Sequence, residues 1–228
     1  MTIFGVPFVK TMLLDIDGTL VDSNDRHAES WVLAFADSGM TVAFDRVRPL
    51  IGMGSDKLLP SIDPSLSKER DPGKTIAKRR AEIFKERFIE SIEPMAGARE
   101  LLLTLQRLNV ACVIATSANS DELDILLERT NLKELVDDAT TAQDADRSKP
   151  SPDVIEAALE KAGASAEASI MLGDTRYDIE AASKAGVPCI ALRCGGSTEA
   201  DLGKAVALFD DPADLARYLQ DVASAVPR

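Results

Sequence analysis

Residues 8–23 read FVKTMLLDIDGTLVDS, an apolar run from Phe8 to Ile16 interrupted near its end by Asp15 and followed by Asp17 and Gly18. A run this short and this apolar suits a strand buried on both faces, as in a parallel sheet. Asp-Gly between Leu13-Leu14 and Leu20-Val21 also fits a hairpin turn. The helical pattern that begins after Ser23 argues instead for a passage from strand to helix. Two carboxylates two residues apart at a strand end have a chemical use. One can attack phosphorus as a nucleophile while the other moves protons to a leaving group and from water, with a metal ion neutralising their repulsion. Gly18 lets the backbone turn tightly beside a phosphate.

Beyond this stretch the pattern is helical from Ser23 to about Ile92. Ser23 or Asp25 can cap a helix carrying Trp31, Val32, Leu33 and Phe35, with Gly39 as a stop. Ile76, Ile83, Phe84 and Phe88 recur at helical spacing among Lys, Arg and Glu, so this insert is expected to have a small core of its own. After Glu93-Pro94 helix and strand alternate. Ala98, Leu101, Leu102, Leu105 and Leu108 mark a helix, Val110 to Ala115 a strand, and Glu122–Arg129 a second helix. A further helix from about Pro152 to Lys161 is stopped by Gly163. A strand at Ser169–Leu172, a helix ending at Gly186 and a strand at Pro188–Leu192 follow. The expectation is an α/β fold, a Rossmann-like parallel sheet flanked by helices with right-handed crossovers. Residues 1–22 and 93–228 would form the core and 23–92 an inserted α-helical domain. Ligands of such sheets bind beyond the carboxyl ends of the strands, so the polar motifs at those ends should meet.

Three more motifs lie along the chain. Ala115-Thr116-Ser117-Ala118-Asn119 follows the strand VACVIA and offers hydroxyls and amides to cradle phosphoryl oxygens, although Thr-Ser before a helix also serves as a cap. In Ser148-Lys149-Pro150-Ser151-Pro152-Asp153 prolines frame Lys149. Most lysines are merely solvated, but an ammonium held in a rigid turn can balance two carboxylates and a phosphate during attack. Gly173-Asp174-Thr175-Arg176-Tyr177-Asp178 follows the strand SIML. Its two aspartates, four residues apart, are expected on one face of a starting helix. Asp174 suits a hard, oxygen-preferring cation such as Mg2+, with Asp178 holding Lys149 or the metal's water shell. Acidic residues also favour helix N-termini without any ligand.

In bulk, the chain of 228 residues has 45% hydrophobic and 28% charged residues, the make-up of an ordinary globular protein. Its net charge of −12 argues against binding nucleic acid or an anionic membrane by neutralising phosphates. The cysteines, Cys112, Cys189 and Cys194, form no CxxC pair and are odd in number, which fits a reducing, cytoplasmic setting. No leader peptide is expected, and no apolar run approaches the roughly 18–20 residues of a membrane-spanning helix. Nothing in the pattern specifies an oligomeric state; the Trp31-Phe35 stripe reads as core rather than interface.

DIDGTLVDS, ATSAN, KPSPD and GDTRYD together resemble, in order, the four motifs of the haloacid dehalogenase superfamily. The resemblance spans nearly the whole chain and is closest to the branch of phosphoglycolate phosphatases and β-phosphoglucomutases, which carry a helical cap. It implies a magnesium-dependent phosphatase, a phosphoric monoester hydrolase acting on a small phosphorylated metabolite. Asp15 would form an aspartyl-phosphate, and Asp17 would protonate the leaving oxygen and then activate water. Thr116 and Lys149 would hold the phosphoryl group, with Ser117 and Asn119 beside them. Mg2+ would be bound by Asp15, Asp174 and the backbone carbonyl of Asp17, with Asp178 as an outer partner. The insert would be the mobile cap, swinging on 18–23 and 92–97. Substrate choice would rest on its His27, Arg46, Arg48, Ile51-Gly52-Met53-Gly54-Ser55 turn, Lys78, Arg79, Arg80 and Lys85. His27, twelve residues after Asp15, matches a histidine of cap-bearing relatives and is a candidate to touch substrate or Asp17.

Three other functions share these features. A dehalogenase uses the same first aspartate on carbon, but the family's dehalogenases lack the equivalent of Asp17. A phosphomutase would return the phosphoryl group to a retained sugar phosphate. The mutase cap loop, however, has a lysine and an arginine where this chain has Ile51 and Ser55. A non-enzymatic binding protein on this fold would be expected to have lost a catalytic carboxylate, and none is missing.

Overall fold

A computed structural model describes residues 2–3, 6–7 and 9–225. Phe8, which its hydropathy assigns to the first core strand, lies outside them. A short antiparallel pair, β1 (Thr2–Ile3) and β2 (Val6–Pro7), precedes the core. The core sheet is built from β3 (Thr11–Leu14), β4 (Ala111–Ala115), β5 (Asp138–Thr140), β6 (Ser169–Gly173), β7 (Cys189–Leu192) and β8 (Ala207–Phe209). Their order is β5-β4-β3-β6-β7-β8 and every pairing is parallel. β3 therefore lies inside the sheet, and all four of its residues are buried.

Alternation along β3 explains the layers. Met12 and Leu14 join one apolar cluster with helices α5 (Ala98–Arg107) and α10 (Pro212–Ala225), through Leu101, Leu105, Leu215 and Leu219. Leu13 points the other way, into a cluster with α7 (Asp153–Ala162) and α8 (Arg176–Lys184), through Val154, Ile155 and Ile179. Successive strand side chains must face opposite sides, so an unbroken apolar run is what a sheet covered on both faces requires. α6 (Ser120–Arg129) follows β4, and α9 (Glu199–Leu202) leads to β8. The edge strands β5 and β8, three residues each, lack such a run and have no counterpart in the sequence reading.

Between β3 and α5 lie α1 (Asn24–Asp37), α2 (Phe44–Val47), α3 (Ser55–Ile62) and α4 (Gly73–Ile83), the last continuing as a π-helical turn over Phe84–Phe88. Trp31, Phe35, Leu58, Leu59, Ile76 and Ile83 form a separate apolar cluster here. Phe84 departs from the expected stripe. Phe84 follows Ile83 directly and so points to another side of the helix, and it is buried in the cluster of the sheet instead. The two connections to this insert run side by side: Asp22 N–H donates to Glu93 O at 3.0 Å and Met95 N–H to Leu20 O at 2.9 Å. No helix among the described residues is long and apolar enough to cross a membrane.

Candidate active site

The four polar motifs converge at the carboxyl ends of β3, β4 and β6. Asp15 directly continues β3, its N–H still donating to Leu172 O at 2.9 Å. Gly18 then takes φ +74°, a left-handed conformation that favours glycine. A side chain at Gly18 would also collide with Asn24 and with the Asp174 carboxylate. The chain thus comes within touching distance of the fourth motif only because residue 18 has no Cβ.

Lys149 lies buried at the centre. Its Nζ donates to Asp15 Oδ1 at 2.7 Å and to Asp178 Oδ1 at 2.6 Å. Burial alone would lower its pKa, but the two carboxylates outweigh it and hold the ammonium above its ordinary range. Asp178 serves two masters, because its other oxygen accepts from the Thr175 hydroxyl (2.6 Å) and N–H (3.1 Å) in a capping box that starts α8. This corrects one expectation: Asp174 and Asp178 do not share a helix face. Asp174 precedes the cap residue Thr175 and lies in the turn after β6, and the fold of that turn brings the two together.

One carboxylate oxygen from each of Asp15, Asp174 and Asp178 can be grouped within 4.8 Å of the others. Burial, with Asp178 next, pushes the Asp174 carboxyl up to about 7, against the hydrogen bonds of Asn24 and Thr19. Burial likewise drives Asp15 well above the usual carboxylate range, with Lys149 pulling it down and Asp178, Asp174 and Asp17 adding to the rise. One ammonium among three buried carboxylates leaves excess negative charge, and all the donors are oxygens. That combination fits a divalent Mg2+-type cation. Each of the three already accepts hydrogen bonds: Asp178 from Lys149 and Thr175, Asp15 from Lys149, and Asp174 from Thr19 and Asn24.

Asp17 stands apart from this group. Its Oδ1 accepts from Ser23 Oγ at 2.5 Å and lies 2.7 Å from His27 Nε2. Ser23 does occupy the position before α1, but its hydroxyl goes to Asp17 and makes no helix-capping bond. Burial would raise the Asp17 carboxyl. His27, the Ser23 bond and the Arg80 charge behind them outweigh it and bring the group down to about 2. His27 is buried, stacked on Phe84 with ring centres 4.0 Å apart. Its Nδ1 lies 2.8 Å from the Arg80 guanidinium, which can only donate. Nδ1 must therefore accept, and Nε2 carries the hydrogen given to Asp17.

The second motif is split in its duties. Thr116 is buried in the wall of the site, and its hydroxyl accepts from Ala118 N–H at 3.0 Å, so that amide is not free as expected. Ser117 Oγ accepts from Lys149 N–H at 3.3 Å, and Asn119 Oδ1 caps α6 by accepting from Glu122 N–H at 2.9 Å. A cavity of about 310 Å³ opens between these residues and the insert. Asp15, Asp17, Thr116, Ser117 and Asn119 wall it on the sheet side. His27, Trp31, residues 51–55, Lys78 and Arg80 wall it on the other.

Other basic residues of the insert are engaged elsewhere. Arg46 donates to Ile62 O, Arg48 bonds Asp25 and Gly195 O, and Arg79 bonds Asp37 and Glu82. Lys85 lines a neighbouring cavity of about 330 Å³. Several further residues hold the site. Glu122 takes the Arg80 guanidinium at 2.6 Å, and Ser148 bonds Asp56 at 2.5 Å and Gly54 N–H at 3.1 Å. Thr19 donates to Asp174 Oδ1 at 3.2 Å and Asn24 Nδ2 to Asp174 Oδ2 at 2.8 Å. Thr19 and Ser23 lie inside the DIDGTLVDS motif, and Asn24 directly follows it.

Known proteins resemble this arrangement over most of the chain. A phosphoglycolate phosphatase of Pseudomonas syringae pv. syringae is 28% identical over 197 residues, 85% of this chain and 72% of its own. A validoxylamine A 7'-phosphate phosphatase of Streptomyces hygroscopicus subsp. limoneus is 27% identical over 205 residues, 89% and 93% of the two chains. The crystal structure of a hydrolase from Pseudomonas syringae superposes with a TM-score of 0.86 at 28% identity, covering 94% of this chain and 99% of that one. The profile of the haloacid dehalogenase-like hydrolases matches residues 12–192, and to that family of hydrolases the chain belongs.

Proposed function

We propose that this enzyme is a magnesium-dependent phosphatase that removes the phosphoryl group of a small phosphomonoester through an aspartyl-phosphate at Asp15, as in phosphoglycolate phosphatases. The observation that carries this reading is the buried Asp15–Lys149–Asp178 chain of contacts, 2.7 and 2.6 Å, at one end of a cavity with Asp17 also in its wall. A nucleophile for phosphorus needs a carboxylate that stays in place beside positive charge, and a second carboxyl for the proton.

Asp15 attacks phosphorus while Lys149, Thr116 and Ser117 hold the phosphoryl oxygens and offset their growing charge. Asp17 gives a proton to the departing alkoxide. It then takes one from the water that cleaves the aspartyl-phosphate. His27 holds the Asp17 carboxyl through its Nε2 hydrogen, and the Arg80–Glu122 pair holds His27. The arriving phosphate dianion opposes the low pKa of Asp17 and favours the protonated form the first step needs. Mg2+ held by Asp15, Asp174 and the Asp17 backbone carbonyl would neutralise charge and align phosphate with nucleophile, with Asp178 as the outer partner.

Residues 23–92 act in this reading as a cap over a core of 1–22 and 93–228, and residues 51–55 with Lys78 and Arg80 select the alcohol. The paired connections at 20–22 and 93–95 suit a hinge. The test is phosphate release from a panel of phosphomonoesters, with and without Mg2+, by native protein, Asp15→Asn and Asp17→Asn. Magnesium-dependent turnover lost in both variants is expected. No release from any ester by folded, metal-loaded protein would refute the reading and turn attention to sugar-phosphate isomerisation.

A further inference from the structure

Asp174 is held from the insert as well as from the sheet. Asn24, the first residue of α1, uses both hydrogens of its amide nitrogen: Nδ2 donates to Asp174 Oδ2 at 2.8 Å and to Gly195 O at 3.0 Å. Its Oδ1 is buried and has no partner among the described residues. The reverse orientation of the amide would set oxygen against the Asp174 carboxylate and the Gly195 carbonyl, so the two acceptors fix which way it points. Thr19 fixes the other carboxylate oxygen. Space is equally tight: a Cβ at Gly18 or at Gly195 would strike the Asp174 side chain. The carboxylate therefore has one seat, and one wall of that seat belongs to α1.

Three residues further along the same helix, His27 holds Asp17 at 2.7 Å. Positions three apart lie on one helix face. The first turn of α1 thus grips two carboxyls of the site at once, Asp174 through Asn24 and Asp17 through His27. Moving α1 away from the sheet would release Asp174 as well.

We infer that Asn24 is a positioning residue through which the seating of α1 sets the affinity of Asp15 and Asp174 for a divalent cation, so that cation binding and seating of the insert favour each other. Linkage makes the coupling reciprocal. The inference rests on the phosphatase reading only in taking Asp15 and Asp174 as the cation's carboxylates.

The test uses the full chain with Mn2+ alone, its free fraction followed by electron paramagnetic resonance. Hydrogen exchange of the amides of residues 24–31 is measured with and without the ion. Asn24→Ala and Asn24→Leu both remove the donors, and Leu fills nearly the same volume should Ala disturb folding. About a tenfold weakening of Mn2+ binding is expected in both, the scale of outer-shell contacts to metal ligands. Mn2+ should slow exchange at 24–31 in the native protein, and this protection should vanish in the variants. Mn2+ affinity within twofold of native in the variants, or equal protection by Mn2+, would overturn this inference alone. No Mn2+ binding by the native protein would overturn it together with the metal-dependent reading of the site.

Discussion

His27 and Asp17 form a directed pair: the imidazole Nε2 hydrogen points at Asp17 Oδ1, 2.7 Å away, because Arg80 occupies the other ring nitrogen at 2.8 Å. Against its burial, Asp17 is held down to about 2 instead of the ordinary 3.8 by His27, with Ser23 and Arg80 adding to it. A carboxyl depressed by folding adds stability above its unfolded pKa and loses it as pH falls through the folded value. The contribution, on the order of 2 kcal/mol, is present above about pH 4 and disappears towards pH 2. In His27→Ala the Asp17 carboxyl, followed by NMR, should begin to protonate by about pH 4, where the native group stays ionised. Turnover should fall roughly tenfold to a hundredfold with little change in KM. An unmoved titration would show that His27 does not control Asp17.

Lys149 separates stability from chemistry. Lys149→Met leaves Asp15 and Asp178 facing each other without their cation and should cost about 3–5 kcal/mol in urea unfolding. Adding Asp178→Asn should restore much of that stability while phosphate release stays lost. Recovery of activity in the double variant would remove Lys149 from the mechanism.

Arg80 and Glu122 are nearly buried and 2.6 Å apart. Arg80→Met strands the Glu122 carboxylate, a loss of about 3 kcal/mol, and Glu122→Gln in the same chain should recover a large part of it. Turnover should not recover, because His27 Nδ1 still lacks its donor. Additive losses in the double variant would mean that the pair is not coupled.

Asp174 predicts a proton count. Its carboxyl, raised to about 7, keeps a proton in the metal-free fold that the unfolded chain has already lost, so its contribution to stability declines as pH rises from about 4 to 7. A cation needs the carboxylate. Mg2+ binding at pH 6 should therefore release more protons than at pH 8, by on the order of one, as calorimetry in buffers of different ionisation enthalpy would read. Equal release at both pH values would rule out Asp174 as the group that ionises.

The sheet was legible where side chains repeat. The apolar runs before Asp15, Thr116 and Gly173 marked the three strands that meet at the site, because a strand covered on both faces is built mostly of apolar residues. β5 and β8 sit at the edges, half-exposed, and their Asp138-Ala139-Thr140 and Ala207-Leu208-Phe209 have no period to find. Among site residues, motif spacing pointed to Asp15, Lys149, Asp174 and Asp178, which the fold gathers, and to Asp17, which lies beside them on Ser23 and His27. Spacing could not show that Asp174 sits outside α8, since that depends on where Thr175 caps the helix. Asn24 and Glu122 were invisible for another reason: their partners lie 150 and 42 residues away in the chain.

β3 lies inside the sheet, bonded to β4 on one side and β6 on the other. Asp15 hangs from that strand, its amide still tied to Leu172. Interior strands are the last part of a protein to open, whereas edges and inserted helices fluctuate far more often. Local opening of β5, β8 or the helices of residues 24–83 leaves Asp15 where it was. The amide of Asp15 should then exchange only when the whole molecule comes apart, so its exchange rate becomes a measure of global stability read inside the site itself.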